Sequence, residues 1–288
     1  MIEHIVEYTT PIRLDRFLKH LYPLLTQGVI QKAIRKNLLS IEGKKINDAS
    51  VRLAKGQVVC VANFFAQYLA QDRKNFSHSL QVLAQKILDQ YSVFENADFI
   101  AINKPVKIAS QGGTGLSISI ADALLVINQE KNAGFRLVHR LDKETSGLML
   151  LAKNYDGAVK LTGGFKERKI YKTYQALVHG RLANNAGVID LDGEVTKYKL
   201  LDYWSKWDVS YVEFYPITGK EHQIRRHALE LGVSIIGDKK YGDINSKESF
   251  MMLHALNVKL CESLFNQQIQ INADLPKHFQ QMLEGLKS

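Results

Sequence analysis

The sequence predicts an α+β fold. A small N-terminal module of two helices and short strands is expected over residues 1–62. A linker follows over 63–90. A larger domain over 91–288 is expected to rest on a mixed, largely antiparallel sheet flanked by helices. Three observations predict this. Apolar residues recur at helical spacing in several short stretches, as in Leu14, Phe17, Leu18 and Leu21. Runs rich in β-branched and aromatic residues, such as "IYKTYQALVHG" and "VSYVEFYPI", have the composition of strands. Helices and strands alternate irregularly with hairpin-sized gaps, which favours antiparallel pairing over a regular parallel sheet. At 288 residues, with 45% hydrophobic and 23% charged residues, the chain is globular and long enough for two domains.

Taken in order, "IRLDRFLKHLY" forms a first helix that Pro23 ends, and Thr26 can cap a second, "QGVIQKAIRKN". The second buries Val29, Ile30, Ala33 and Ile34 and shows Lys32, Arg35 and Lys36 on its other face. Short strands "LSI", "KKI" and "VVCV" follow, with turns at Glu42-Gly43 and Lys55-Gly56. Within the linker, "SLQVLAQKIL" has helical character. The larger domain opens with strand, turn and strand in "YSVFENADFIAINKP". A flexible "SQGGTG" loop comes next, then an amphipathic helix capped by Ser117 or Ser119. A helix is expected from Tyr155 to Lys166, another in "EHQIRRHALEL", a late strand in "MMLHALNVKL" and a surface helix in "ADLPKHFQQMLEGL". Tyr171 is expected to pack on the strand face opposite Tyr174. Trp204 and Trp207 flank a turn.

Charge narrows the partner. Thirty-eight basic residues stand against 29 acidic ones, a formal net charge of +9. Residues 1–75 hold 12 Lys/Arg and 6 Asp/Glu, so most of the excess lies in the first quarter of the chain. Lys44 and Lys45 carry the sign of the second helix into the small sheet. Such a surface suits a polyanion. Cys60 and Cys261 lie in apolar runs and are expected to be reduced core thiols. No Cys/His spacing fits a metal, and His222 and His227 do not stack on one helix face. The N-terminus lacks the pattern of a secretory signal, and no apolar run approaches a membrane span. The expectation is a cytoplasmic, monomeric protein.

The chemistry concentrates in "LVHRLDKETSGLMLLAKN", residues 137–154, where two strand-like segments enclose a charged loop. Asp142 stands between Arg140 and Lys143, and Thr145, Ser146 and Gly147 turn the chain back. A carboxylate near guanidinium groups stays ionised, which suits nucleophilic or electrostatic work rather than acid catalysis.

The stretch "HRLDKETSGL" resembles the signature of the RluA family of pseudouridine synthases. "NADFIAINKPVKIASQGGTGLS", "KTYQALVHG", "PITGKEHQIRRHALELGVSIIGDKKYG" and "LHALNVKL" resemble that family's other motifs in the order it requires. "RLDRFL", "IQKAIRKNLLSIEGKKI" and "LAKGQVV" resemble the S4 RNA-binding module. The combination is most similar to the C-type synthases of large-subunit ribosomal RNA. The resemblance implies that Asp142 is the catalytic aspartate, Tyr174 the active-site tyrosine and Arg225 the arginine paired with the aspartate. It places Arg140 beside a nucleotide flipped out of its stack, and it implies RNA contact for Lys32, Arg35, Lys36, Lys44, Lys45, Lys220 and His222. Lys220 and Glu221 depart from the family's Arg-Thr, so bidentate phosphate geometry is lost there. Isomerising uridine involves no redox change and demands no cofactor or metal. Two other readings compete: a ribosome assembly factor that binds RNA without catalysis, and a glycosidase, which needs a second carboxylate besides Asp142.

Overall fold

A computed structural model describes residues 1–22, 25, 27–62, 76–112, 118–131, 133–242 and 248–288. The expected helix stop at Pro23, the caps at Thr26 and Ser117 and most of the "GGTG" loop lie outside the described residues.

The N-terminal module contains β1 (Ile2–Ile5), β2 (Ile12–Arg13), α1 (Leu14–Leu21), α2 (Gln27–Arg35), β3 (Leu39–Ile41), β4 (Lys44–Lys45), β5 (Arg52–Leu53) and β6 (Val58–Val61). Its sheet runs β1-β6-β3-β4, all antiparallel. The helical spacing is realised as one buried face: Leu14, Phe17 and Leu18 of α1 pack with Ile30, Ala33 and Ile34 of α2 over Leu39, Val59 and Val61. Lys32, Arg35, Lys36, Lys44 and Lys45 are all exposed. Tyr155 joins this small core from the larger domain, with its ring 4.7 Å from that of Tyr8, and Arg136 lies 2.9 Å from the His20 ring.

The larger core begins earlier than the sequence suggests. α3 (His78–Asp89) buries Leu80, Leu83, Ala84 and Ile87 in the same cluster as α4 (Ile120–Lys131), so this stretch is part of the packing rather than a free tether. Ser119 caps α4, accepting from the Asp122 N–H at 3.2 Å and donating to its carboxylate at 2.6 Å.

The strands are β7 (Ser92–Glu95), β8 (Phe99–Lys104), β9 (Arg136–Leu137), β10 (Ser146–Ala152), β11 (Ile170–His179), β12 (Ala186–Leu191), β13 (Glu194–Trp204), β14 (Val209–Pro216), β15 (Ser234–Ile235), β16 (Leu253–Leu260) and β17 (Ile269–Asn272). They order as β12-β13-β14-β11-β16-β10-β8-β7, with β15 on β11, β17 on β16 and β9 on β10. Among the described pairings within this sheet only β10 with β16 is parallel, so the expected mixed, mainly antiparallel sheet is found.

Helices α5 (Tyr155–Lys166), α6 (Gln223–Glu230), α7 (Glu262–Phe265) and α8 (Lys277–Lys287) complete the domain. α8 is a surface helix anchored by Phe279, which is fully buried. Tyr171 differs from expectation: it does not pack but is 57% exposed. Trp204 stacks on Tyr211 at 6.4 Å, while Trp207 is largely exposed beyond the turn. Cys60 is buried and Cys261 half-buried, both as free thiols. No helix among the described residues is long and apolar enough to cross a membrane.

The parallel junction is where the fold meets the charged loop. Gly147 has φ +107°, and a Cβ there would fall 2.2 Å from the Ala255 carbonyl oxygen on β16. Only glycine lets β10 approach β16 directly after the loop that carries Asp142. Gly147→Ala is expected to lower stability by about 3 kcal/mol or more, read as a fall in the urea midpoint. An unchanged midpoint would contradict this packing.

Candidate active site

The loop between β9 and β10 is fastened on both sides of Asp142 by backbone hydrogen bonds. Ser110 donates its hydroxyl to the Leu141 carbonyl at 2.6 Å and accepts the Leu141 N–H at 2.9 Å. Leu141 itself is buried in the main core. On the other side, the Lys107 N–H donates to the Lys143 carbonyl at 2.8 Å. Lys104, wholly buried, donates Nζ to the Pro105 and Ile108 carbonyls at 2.9 and 3.0 Å and lies 3.5 Å from that of Lys143. Burial pulls Lys104 down to about 7, against the pull of Glu144 and Asp142. The Thr145 N–H closes the turn on the Asp142 carbonyl at 3.1 Å. Ser146 lies 2.8 Å from the buried His254 ring.

The carboxylate of Asp142 is therefore held by its backbone and left 19% exposed. Its nearest cation is not the adjacent Arg140 or Lys143 but Arg225 of α6, whose Nη1 lies 3.7 Å from Asp142 Oδ2; His222, just before that helix, sets its Nε2 3.9 Å from the same oxygen. Arg225 has a tighter partner. Its Nε and Nη2 donate to Asp238 at 2.7 and 2.6 Å, a bidentate pair whose carboxylate is almost fully buried. Asp238 also accepts the N–H groups of Lys240 and Tyr241 at 3.0 and 3.1 Å. Burial disfavours the Asp238 charge, but the Arg225 hydrogen bonds and these N–H groups outweigh it and hold the carboxyl below its usual range. Arg225 is thus a clamped guanidinium that presents its remaining nitrogen to Asp142.

His222 sits in the left-handed region, with φ 53°, just before α6. Its Nδ1 lies 3.1 Å from the Tyr241 hydroxyl. Burial lowers its pKa first, with Asp142 opposing. The sequence assigned His222 to RNA contact; the structure sets it beside the carboxylate.

A cavity of about 810 Å³ opens against Asp142, within the roughly 300–1,000 Å³ typical of ligand sites. Arg140, Lys166, Arg168, Lys172, Lys220 and Arg225 line it, against Asp142 and Glu221. Tyr174 lines the same cavity from β11, and its ring is more than nine-tenths buried. Burial, and then the Asp142 carboxylate, push its hydroxyl well above the ordinary tyrosine value. A smaller hollow of about 260 Å³ on the Ser110–Gln111 side is lined by Lys143 and Glu144 as well as Asp142. His139 borders the larger cavity. Its Nε2 accepts the Leu150 N–H at 2.8 Å, and burial, aided by Lys172, depresses it to about 3, so the ring is neutral.

The structure brings together Asp142, Tyr174, Arg225, Arg140, Lys220 and His222. Lys32, Arg35, Lys36, Lys44 and Lys45 lie on the N-terminal module and line neither hollow. Sequence reasoning missed Asp238, Lys172 and Lys104. No cluster suited to a metal exists among the described residues.

Asp238→Ala leaves Arg225 without its clamp and is expected to cost about 3–5 kcal/mol, measured by chemical denaturation. A variant as stable as the parent would contradict the clamp.

Comparison with known proteins places this geometry. The RNA pseudouridylate synthase family matches residues 98–230. A Rickettsia typhi protein named ribosomal large subunit pseudouridine synthase C is 40% identical, covering 97% of this chain and 99% of its own length. The Vibrio cholerae protein of that name is 27% identical, covering 96% of this chain and 93% of its own. Among solved structures, human RNA pseudouridylate synthase domain containing 4 aligns with a TM-score of 0.63 at 27% identity, covering 73% of this chain and 97% of that one. By a relative matched over nearly its full length, the chain belongs to the RNA pseudouridylate synthase family and is an isomerase acting on RNA.

Proposed function

We propose that this chain converts uridine to pseudouridine in large-subunit ribosomal RNA, with Asp142 acting at the sugar of a flipped nucleotide. The observation that carries the assignment is the anchored Asp142 carboxylate, 3.7 Å from clamped Arg225 and sharing a cavity with Tyr174. The choice of RNA rests on the large-subunit synthases of Rickettsia and Vibrio, which align with more than nine-tenths of the chain.

The reaction breaks the C1′–N1 bond and joins C1′ to C5 of the same base. Asp142 either attacks C1′ directly or assists a glycal intermediate, and the arrangement suits both. Its charge is balanced by Arg225 without a direct proton donor, which suits an ionised nucleophile. Burial and the Asp142 carboxylate favour the protonated Tyr174 hydroxyl, and its ring face suits stacking on the uracil. A paired uridine hides its glycosidic bond and must leave the stack. Arg140 is exposed at the cavity mouth and fills the vacated space. Arg168 and Lys220 border the same mouth and suit flanking phosphates.

The N-terminal module, residues 1–62, acts as an S4-like grip on RNA through Lys32, Arg35, Lys36, Lys44 and Lys45. The catalytic unit extends back to α3, whose apolar face it shares. The non-catalytic assembly-factor reading finds no support in an intact Asp142, Tyr174 and Arg225 set. For hydrolysis, Glu144 is poorly placed, since it lines the smaller hollow and not the cavity of Tyr174.

In cells lacking the protein, at least one large-subunit uridine is expected to remain unmodified in pseudouridine mapping. Wild type restores it, and Asp142→Asn does not, losing about a thousandfold or more in rate while binding RNA as before. An unchanged map, or an active Asp142→Asn, would overturn the assignment. Arg140→Ala is expected to slow turnover on structured RNA about tenfold or more, as lost support for the unstacked state. Wild-type turnover by that variant would remove the role.

A further inference from the structure

Lys172 is a partly buried cation at the cavity, and no carboxylate or hydrogen-bond acceptor among the described residues holds its ammonium. It stands on β11 two residues before Tyr174, across the register shift between Thr173 and Tyr174, and both side chains line the same cavity. Its Nζ hangs over the β14–α6 loop, 3.3 Å from where a Cβ on Gly219 would sit. The missing side chain at Gly219 gives the ammonium its room. The titratable group its charge reaches is the neutral His139 ring. Burial draws Lys172 down to about 8. An unpartnered cation taken partly out of water weakens the fold, and such a group persists where it serves a site.

The other unpaired cations of the cavity, Arg140, Lys166, Arg168 and Lys220, are exposed, as phosphate contacts require. Lys172 lies deeper. Lys172 and Tyr174 line one cavity, so a pyrimidine laid on the Tyr174 ring shares that hollow with the Lys172 ammonium.

We propose that the Lys172 ammonium engages the carbonyl edge of the flipped uracil and stabilises the negative charge the base gains when C1′–N1 breaks. This rests on the assignment of Asp142 and Tyr174 to uridine isomerisation. In the cleavage step the bonding pair leaves with the base and spreads over N1, O2 and O4. Asp142 supplies the pair for a new C1′–O bond, or assists departure of the 2′ proton in the glycal route. No proton passes from Lys172. The freed base must then exchange N1 for C5. Rotation about the line through N3 and C6 makes that exchange and also swaps O2 with O4. One cation on that edge therefore meets a carbonyl oxygen before and after the turn, and holds the base without fixing its orientation. When C5 bonds to C1′, either the C1′–O bond to Asp142 breaks or the glycal double bond takes its 2′ proton back from Asp142; C5 then loses its proton and N1 gains one.

The test compares wild type, Lys172→Met and Asp142→Asn on a large-subunit RNA fragment in single-turnover pseudouridine formation and in RNA binding across salt concentrations. Lys172→Met is expected to slow formation about a hundredfold or more. RNA affinity should stay within about threefold with the same salt slope, and the thermal midpoint should not fall. Lys172→Gln, which keeps a neutral donor, should fall between, and gives the same readout if the Met variant does not fold. Weaker binding with a salt slope shallower by about one would make Lys172 a phosphate contact and overturn the proposal. So would a wild-type rate. An inactive Asp142→Asn beside a fully active Lys172→Met sinks this inference alone, whereas an active Asp142→Asn sinks the function it rests on.

Discussion

The guanidinium of Arg225, gripped on two nitrogens by Asp238 and turned toward Asp142, is the contact on which the site depends. In the proposed attack at a sugar the Asp142 carboxylate has to be accessible and still. A guanidinium nitrogen lies 3.7 Å away without consuming its lone pairs in a bidentate bond. Access comes from the large cavity. Stillness comes from the backbone: Ser110 binds Leu141 in both directions, and Lys107 binds Lys143. Asp238, by absorbing the strong half of Arg225, leaves the weaker, longer half for Asp142.

The sheet explains why these groups meet. β10 begins where the Asp142 loop ends, and its parallel contact with β16 at Gly147 fixes the level at which the loop emerges. Antiparallel β11 lies on the far side of β16 and brings Tyr174 to the same level, opposite Ala255. β14, paired to β11, delivers its outgoing loop and α6 over that face, and with them His222 and Arg225. Three segments distant in sequence are thus set around one hollow by strand register, and a slip of one residue would turn Tyr174 away from it.

Much of this was legible in the chain. The charged break between two apolar strands marked Asp142, the composition of β11 marked a strand, and the family resemblance pointed to Tyr174 on it. Strong patterns, such as α5 over Tyr155–Lys166, were placed to the residue. β1 and β12 left weak traces because most of their residues are exposed at sheet edges, so no apolar alternation marks them. Asp238 was invisible for a different reason. It reaches Arg225 across 13 residues only because α6 and the turn after β15 fold back together, and pair identity at that range is a tertiary property. Lys172 was hidden by its ordinary appearance, since a lysine in a strand is usually solvated and only the cavity shows that this one is not.

The basic surface divides into two duties. Exposed cations on the N-terminal module and at the cavity mouth suit the backbone of any RNA, while in the proposed reaction the buried groups around Asp142 meet one nucleotide. The central claim is that the Asp142 carboxylate meets the sugar of an unstacked uridine. A crystal structure of the protein bound to an RNA carrying its target uridine tests it most directly. The account predicts the uridine out of its stack, its base against Tyr174 and its C1′ about 3.5 Å or less from an Asp142 oxygen. A uridine still stacked in the RNA, or a C1′ more than about twice that distance from Asp142, would contradict it.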